Sequence, residues 1–308
     1  MTQKRTAPIM NLQLMSYANC PVCKNESIKP VLTAKDHTVS SETFTIAECG
    51  MCGLRYTLNA PSEDKIAPYY QSSAYISHSN TKKGVINFLY HVARFFTMMS
   101  KEKLVKKAAK RQVGMLLDIG SGTGTFAHTM ERAGWNVVGL EPDPEARKQA
   151  IKKYNCDIYP SDELFRLPEQ TYSVITMWHV LEHVHQLDEY VDRMKDLLAP
   201  TGKLIIAVPN YTSKDAAIYK EFWASYDVPR HLYHFSPNSM RMLIKRHGMQ
   251  VIGTRRMWLD SFYISLLSEK YKKGFFLKGI WNGLVSNFNA LLHKEQCSSL
   301  VYIIERED

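Results

Sequence analysis

The segment 116–126 joins an apolar run, an acid and a loop with glycine at alternate positions. Residues 113–118 predict a buried parallel strand, and residues 127–133 predict a helix. The turn between them contains Gly120, Gly122 and Gly124. Residues without side chains allow the backbone to turn sharply and to come close to a bound ligand. In a doubly wound sheet, such a loop forms a nucleotide site outside the carboxyl ends of the strands.

The glycine spacing and the nearby acids distinguish two classes of nucleotide ligand. A dinucleotide fingerprint reads G-x-G-x-x-G and receives a pyrophosphate at the N-terminus of the helix. Here the spacing is G-x-G-x-G, and Asp118 stands just before the loop. A carboxylate there would repel a pyrophosphate, but it suits a ligand that carries an ammonium and a sulfonium group. A second acid, Glu141, follows the next predicted strand over 135–140.

Together these residues resemble motif I of the class I S-adenosylmethionine (SAM)-dependent methyltransferases and the strand that follows it, over about residues 111–255. The resemblance implies SAM as the cofactor, with its ribose hydroxyls bound by Glu141. The residues expected to bind SAM are Asp118, Gly120, Ser121, Gly122, Gly124, Glu141, Asp162 and Trp178. Related methyltransferases place a polar residue near Asp162 against the adenine amino group, although a solvated acidic loop explains Asp162 equally well.

Apolar and helical segments alternate over the rest of the chain, as a parallel sheet with crossover helices requires. Further strands are predicted over 156–159, 172–177, 203–208, 250–255 and 299–305. Periodicity alone predicts only this alternation. The resemblance implies an α/β fold with a Rossmann-like sheet of seven strands, the last of them antiparallel, and with helical insertions.

Four of the six cysteines form two C-x2-C pairs, Cys20 with Cys23 and Cys49 with Cys52. Each pair can form a tight knuckle, and four thiolates complete a tetrahedral zinc site that is structural because no position stays open. Disulfide pairing is the alternative. No secretory signal is recognisable at the N-terminus, so a cytoplasmic location and bound Zn²⁺ are expected. The remaining cysteines are expected to be core or near-surface thiols.

Chain length predicts two domains joined by a helical segment. The predicted parts are a zinc-ribbon-like module over 1–60, a helical linker or cap over 61–110, and a SAM-dependent methyltransferase domain over 111–308 with insertions at 211–248 and 257–298. The helix over 82–111 ends in basic residues and has an apolar face formed by Phe88, Leu89, Val92, Phe95, Phe96 and Met99. A cap over the active site is expected, with a membrane-surface helix or a nucleic-acid contact as alternatives.

Histidines that follow the fourth and fifth strands are the catalytic candidates. The segment 227–236 resembles an Asp-x-Pro-Arg-His-x-x-His-Phe-Ser stretch of methyltransferases from bacterial surface-polysaccharide and lipid-precursor pathways. His231 or His234 would remove a hydroxyl proton, because the usual pKa of histidine, about 6.5, is close to working pH. Arg230 would bind an acidic or phosphate group, or else belong to a buried polar network. His179 is expected to face the transferred methyl group.

His179 also begins an H-x-x-E-H pattern, which binds zinc in one class of peptidases. It lies at the end of a predicted strand rather than inside a long helix, so peptidase chemistry is not expected. Glu182 and His183 are instead expected to cap or pack the helix that follows.

The sequence therefore predicts methyl transfer to an oxygen or carbon of a sugar, glycan or lipid-linked precursor. Sugar C-methyltransferases offer an analogy, since they too carry a four-cysteine zinc module. An rRNA methyltransferase or another nucleic-acid-binding protein is the alternative, because the net charge of +9 suits RNA as well as anionic lipid. The aromatic and basic tail over 257–281 is expected to cover the acceptor, to contact a membrane surface, or to form a simple helical hairpin. No apolar run approaches the ~20 residues of a spanning helix.

Overall fold

The computed structural model describes residues 14–15, 17–71 and 85–307, and of residues 85–96 it describes the backbone alone. Among these residues, none of the helices is long and apolar enough to cross a membrane. The predicted apolar face of the first helix lies mostly on side chains outside this description, namely Phe88, Leu89, Val92, Phe95 and Phe96. The helix itself, α1, spans Val85–Ala108.

An antiparallel sheet near the N-terminus carries the four cysteines. Its first three strands are β1 (Ile28–Lys35), β2 (Thr43–Cys49) and β3 (Arg55–Thr57). The order β1-β2-β3 is completed by a fourth strand from a distant part of the chain, which is described below.

A seven-stranded sheet forms the centre of the fold and confirms the predicted fold class. Its strands are β4 (Met115–Ile119), β5 (Asn136–Leu140), β6 (Ile158–Tyr159), β7 (Tyr172–Trp178), β8 (Leu198–Pro209), β10 (Met249–Arg256) and β11 (Ser299–Arg306). The spatial order is β10-β11-β8-β7-β4-β5-β6. Strand β11 runs antiparallel to both of its neighbours, as the resemblance implied. The central strands are buried on both faces, which is why they read as continuous apolar runs.

One strand is longer than predicted. Residues 198–202 contain Pro200 and Gly202 and resemble a turn, yet β8 already begins at Leu198. The reason is that Tyr172 pairs with Leu198 across a register shift at the start of β7, which draws this segment into the sheet. Pairing with a neighbour therefore overrides the local turn signal.

Helices cover the sheet and form the insertions. After α1 they are α2 (Thr125–Arg132), α3 (Pro144–Tyr154), α4 (Leu187–Leu197), α5 (Lys214–Tyr219), α6 (Pro237–Arg246), α7 (Asp260–Tyr271) and α8 (Phe276–Leu292). Sequence signals fix several helix starts: Asp143 caps α3, and Ser236 forms a capping box with Ser239 before α6. Helices α7 and α8 form a hairpin between the last two strands of the large sheet.

The fourth strand of the cysteine sheet is β9 (Tyr233–His234), from the insertion after β8. It pairs antiparallel with β3, so that Arg55 faces His234 and Tyr56 faces Tyr233. Additional contacts include a hydrogen bond of 3.0 Å between the hydroxyls of Tyr17 and Tyr233. The cysteine sheet and the insertion are thus packed as one unit, while the division of the chain at residue 60 stays a prediction.

Candidate active site at the carboxyl ends of the strands

All three glycines of the loop after β4 adopt left-handed backbone angles, with φ of 78° at Gly120, 54° at Gly122 and 75° at Gly124. A Cβ on Gly120 would lie 2.3 Å from Val180, and one on Gly124 would lie 2.7 Å from Ala150. A Cβ on Gly122 would meet no atom of the described residues within 4 Å. Close packing therefore excludes side chains at the two outer positions, whereas the described part of the chain leaves room beside Gly122.

Asp118 is buried directly before this loop. Its carboxylate accepts a hydrogen bond of 2.7 Å from the Thr176 hydroxyl, and its backbone carbonyl accepts one from Ser121. Burial raises the pKa of Asp118 to about 6, although the hydrogen bond from Thr176 and the charge of Lys101 oppose this rise. A bound cationic group would favour the ionised carboxylate.

Glu141 connects the end of β5 to the glycine loop. Its two carboxylate oxygens accept backbone hydrogen bonds from Gly122, at 2.8 Å, and from Asp143, at 2.9 Å. Burial nevertheless raises the pKa of Glu141 above its ordinary value. An ionised carboxylate has about four acceptor positions, so capacity remains for two ribose hydroxyls. The carboxylates of Asp118 and Glu141 therefore offer hydrogen-bond acceptors and negative charge that fit SAM.

The other two residues expected to bind SAM differ in their surroundings. The indole N–H of Trp178 is buried and has no hydrogen-bond partner within the described part of the chain, and the ring lies edge-on to Phe126. The Lys101 ammonium lies 4.3 Å from the centre of the Trp178 ring, a contact that the sequence did not indicate. Asp162 has a side chain that is 68% exposed and lies 3.8 Å from Arg166. Its contact with adenine stays a prediction.

His179 follows β7 with a left-handed φ of 59°. Its Nδ1 lies 3.5 Å from Glu182, and its Nε2 lies 3.2 Å from Asp260. Burial lowers the pKa of His179, but the two carboxylates outweigh this effect and raise the pKa to about 9. A ring that is protonated at neutral pH donates hydrogen bonds and is poorly suited to remove a proton from a substrate.

Arg230 is almost completely buried, and its donors are used within the chain. It pairs with Asp227 at 2.6 Å and with Asp36, in the turn after β1, at 3.0 Å. It also donates to the backbone carbonyl of Tyr69 at 2.8 Å. Of the two roles expected for Arg230, these contacts favour the buried polar network that orients the loop.

The two histidines of the same segment belong to different surroundings. His234 lies in β9, 3.2 Å from the Thr57 hydroxyl, and burial lowers its pKa far below the ordinary value. His231 lies against His183, with ring centres 4.6 Å apart. One possible ligand atom from each of Glu182, His183 and His231 lies within 4.8 Å of the others. The H-x-x-E-H pattern indicated Glu182 and His183 in the sequence. It did not indicate that His231 lies beside them.

The four predicted metal ligands lie together. The sulfurs of Cys20 and Cys52 are 3.6 Å apart, those of Cys23 and Cys49 are 3.4 Å apart, and all four lie within 4.8 Å of one another. Zinc–sulfur bonds of about 2.3 Å in a tetrahedron place the sulfurs about 3.8 Å apart. All four are free thiols rather than disulfides. The donor set therefore fits a structural Zn²⁺ ion.

Both cysteine pairs have the backbone of a knuckle. The amide of Lys24 donates to the carbonyl of Cys20, and that of Gly53 donates to Cys49. Lys24 and Gly53, each following the second cysteine of its pair, have φ of 61° and 70°. Glycine adopts this angle without cost, which explains its place after the second pair.

The strand order, the glycine loop and the two strand-end acids define a class I SAM-dependent methyltransferase domain. The chain belongs to the methyltransferase domain family, whose model matches residues 91–253. This membership confirms the class of enzyme that the sequence predicts.

Curated relatives include the mitochondrial ubiquinone biosynthesis O-methyltransferase of Schizosaccharomyces pombe, which is 31% identical over 106 residues, 32% of this chain and 38% of that protein. The ubiquinone biosynthesis O-methyltransferase of Pelagibacter ubique is 27% identical over 179 residues, 52% of this chain and 72% of that protein. The chain spans about two fifths of the length of the first relatives it matches. Magnesium protoporphyrin IX methyltransferase from Synechocystis PCC 6803 has a similar fold, with a TM-score of 0.51 and 12% identity over 78% of this chain and 97% of that one.

Proposed function

We propose that this protein transfers the methyl group of SAM to an oxygen atom of a small-molecule acceptor that binds beside residues 179–183. The observation that carries the proposal is the cluster of Glu182, His183 and His231. Glu182 and His183 lie in the loop after β7, which touches the cofactor loop through Val180 and Gly120, and His231 comes from the insertion after β8. The relatives named as O-methyltransferases support oxygen as the acceptor atom, and carbon is the second choice.

SAM supplies an electrophilic methyl group: the acceptor oxygen forms a bond to this carbon while the carbon–sulfur bond breaks and its electron pair stays on sulfur. The protein must align these three atoms and exclude water. Asp118 and Glu141 would hold the cofactor, and the carboxylates of Glu182 and Asp260 fix the ring of His179 beside the acceptor. The Nε2 atom of His231 is available for the acceptor proton or for a cation, because Nδ1 is occupied by the carbonyl of Ser225.

We further propose that the acceptor is a lipid-linked glycan or sugar precursor and that the protein binds it at a membrane surface. The hairpin α7–α8 supports this part of the proposal. It buries small or polar residues and exposes large apolar ones, which is the reverse of an ordinary surface hairpin. Its inner face buries small or polar residues, including Ser261, Ser265, Ser268, Gly279, Asn282, Gly283, Ser286 and Ala290. Its outer face exposes large apolar residues: Phe275, Phe276, Leu277, Trp281, Leu284, Phe288, Leu291 and Leu292.

The inner face is held by close contacts and hydrogen bonds. A Cβ on Gly283 would lie 3.0 Å from the backbone of Phe262, so the two helices approach closely. Ser286 donates to the buried Asp215 at 2.6 Å, and Asn282 donates to Tyr219 at 2.8 Å. Rotation of α8 to bury its apolar residues would break these bonds, so the exposed face is part of the native packing.

The charges beside this face suit an anionic bilayer. Four exposed lysines lie at the tip of the hairpin and the start of α8: Lys270, Lys272, Lys273 and Lys278. A helix with aromatic and leucine side chains on one face and lysines near it binds in the interface plane of anionic membranes. Contiguous exposed apolar patches of this kind mark interaction surfaces.

Methyl transfer is tested with SAM labelled in the methyl group. Incubation with membrane lipids, water-soluble glycans and total RNA from a bacterium is expected to label the lipid fraction. The label should be absent when a Glu141→Ala variant replaces the wild type. Label in RNA alone, with a steep loss of binding as salt rises, would instead support the rRNA alternative.

The hairpin is tested by flotation with vesicles that contain phosphatidylglycerol. The double variant Trp281→Glu/Phe288→Glu is expected to bind at least about 100-fold more weakly, since removing each large side chain from the lipid costs about 1.5–3 kcal/mol. The matched control Ile151→Glu/Ile252→Glu changes two exposed residues elsewhere and should bind as the wild type does. Equal binding by all three proteins, or loss of a dimer in the first variant without any vesicle binding by the wild type, would refute the membrane contact.

A further inference from the structure

Glu182 is a buried carboxylate without a hydrogen-bonded partner among the described residues. It is fully buried, and within the described part of the chain neither of its carboxylate oxygens has a hydrogen bond. Nδ1 of His179 lies at an ion-pair distance of 3.5 Å. Burying a carboxylate without strong partners is very costly, so a protein retains one where a cation or a ligand pairs with it.

Two histidines beside Glu182 are oriented as metal ligands are. Nδ1 of His183 lies 3.0 Å from the carbonyl of Arg230, and Nδ1 of His231 lies 2.8 Å from the carbonyl of Ser225. A carbonyl can only accept, so both Nδ1 atoms carry the proton and each neutral ring keeps its lone pair on Nε2. The hydroxyl oxygen of Tyr70 lies 3.0 Å from the same Nδ1 atom of His183. Metal-binding histidines commonly use a backbone carbonyl in this way to fix the tautomer and the ring.

The two segments that supply these residues are joined by their backbones. The amide of Leu232 donates to the carbonyl of Glu182 at 2.7 Å, next to the bond between His183 and Arg230. The ion pairs of Arg230 with Asp227 and Asp36 hold the second segment in place. Asp227 lies 4.0 Å from Nε2 of His231, at the limit of an ion pair. The three side chains are therefore positioned before any ligand binds.

We propose that Glu182, His183 and His231 bind one divalent transition-metal ion, separate from the four-cysteine cluster. Two imidazoles and one carboxylate suit Zn²⁺, Fe²⁺ or Co²⁺ and leave coordination positions open. The H-x-x-E-H pattern contributes its last two residues, whereas His179 is directed to Asp260 and takes no part.

The role of this ion rests on the proposed function. An open position beside the cofactor loop would receive the acceptor hydroxyl, and the ion would lower the pKa of that hydroxyl. The hydroxyl proton then passes to solvent water, and the oxygen forms its bond to the methyl carbon as the carbon–sulfur bond breaks. The binding of the ion itself requires neither SAM nor the acceptor.

The test is a titration of full-length, zinc-loaded protein with Co²⁺, followed by visible absorption. Wild-type protein should bind one further Co²⁺ per chain, with d–d bands but without the charge-transfer band that thiolate ligands give. Glu182→Gln and His231→Gln should each weaken binding about 100-fold or more. The control His293→Gln changes an exposed histidine and should bind Co²⁺ as the wild type does.

Folding does not confound this test. Glu182→Gln keeps the size of the side chain but removes its ion pair with His179, so the metal-free variant serves as its own baseline: it should remain folded by circular dichroism, yet lose the rise in Tm that Co²⁺ produces. Absence of Co²⁺ binding outside the cysteine cluster, or equal binding by Glu182→Gln and the wild type, would overturn the proposal. Co²⁺ binding without any methyl transfer would refute the proposed function alone, and methyl transfer by a protein that binds no Co²⁺ would refute the metal site alone.

Discussion

A Glu141→Ala variant is expected to bind SAM about 100-fold more weakly than the wild type, with the fold retained. Each hydrogen bond from a ribose hydroxyl to a carboxylate contributes about 1.5–3 kcal/mol, so losing both removes most of the binding free energy of the ribose. The variant also loses the acceptor for the Gly122 amide, which keeps the glycine loop at the end of β5. Isothermal titration calorimetry measures the affinity, and circular dichroism monitors the fold.

The matched control is Glu145→Ala. Glu145 lies four residues further on in the first turn of α3, is exposed, and pairs only with Lys148 among the side chains described. Its SAM affinity should stay within about twofold of the wild type, because an exposed ion pair of this kind contributes less than about 1 kcal/mol. Equal SAM affinity for Glu141→Ala and the wild type would contradict the cofactor assignment, as would a wild type that binds no SAM.

Removing the predicted Zn²⁺ ion from the four-cysteine cluster is expected to lower Tm strongly and to abolish SAM-dependent activity. Structural Zn²⁺ sites contribute about 10–16 kcal/mol of apparent binding free energy, which becomes folding free energy in a sheet this small. The loss should spread to the methyltransferase insertion, because β3 pairs with β9 and the side chain of Asn238 donates to the carbonyl of Cys52. The purified protein should contain about one cysteine-bound zinc per chain by elemental analysis.

Cys49→Ser reproduces the removal genetically, and Cys297→Ser is its control. Cys297 is a buried free thiol outside the cluster, so its replacement should leave the zinc content unchanged. Calorimetric melting of both variants separates the effect of the metal from that of losing any buried sulfur. The predicted zinc site would be refuted by a purified protein that contains no metal, has disulfides between these cysteines and shows an unchanged Tm.

The large sheet was predictable because its signals are local. The central strands are apolar runs bounded by turn residues, and several helix starts carry a side-chain cap, as at Asp143 and Ser236. The C-x2-C spacing predicted the clustering of four sulfurs for the same reason, since each knuckle closes within a few residues. The exception at residues 198–202 is a segment where pairing with Tyr172 overrode a local turn signal.

The catalytic candidates could be named from the sequence but not grouped. His231 and His234 are three residues apart, yet one lies against His183 and the other lies in β9 against Thr57. The partner of Arg230 in the turn after β1, Asp36, is 194 residues away in the chain. Contacts at such separations depend on how loops pack, and residue types do not encode them.

The sequence by itself determined the glycine loop with Asp118 and Glu141 and the two cysteine knuckles, because these features depend on backbone preferences and on spacings of a few residues, and the resemblance to SAM-dependent methyltransferases supplied the fold class. Only the tertiary structure decided which side chains meet at the proposed acceptor site. The hydrogen bonds between residues 182–183 and 230–232 bring two loops together, and Glu182 has no hydrogen-bonded partner among the residues described. Tertiary packing also decided that α8 turns its small residues inward and its apolar face outward, since the buried partners of Ser286 and Asn282 come from α5.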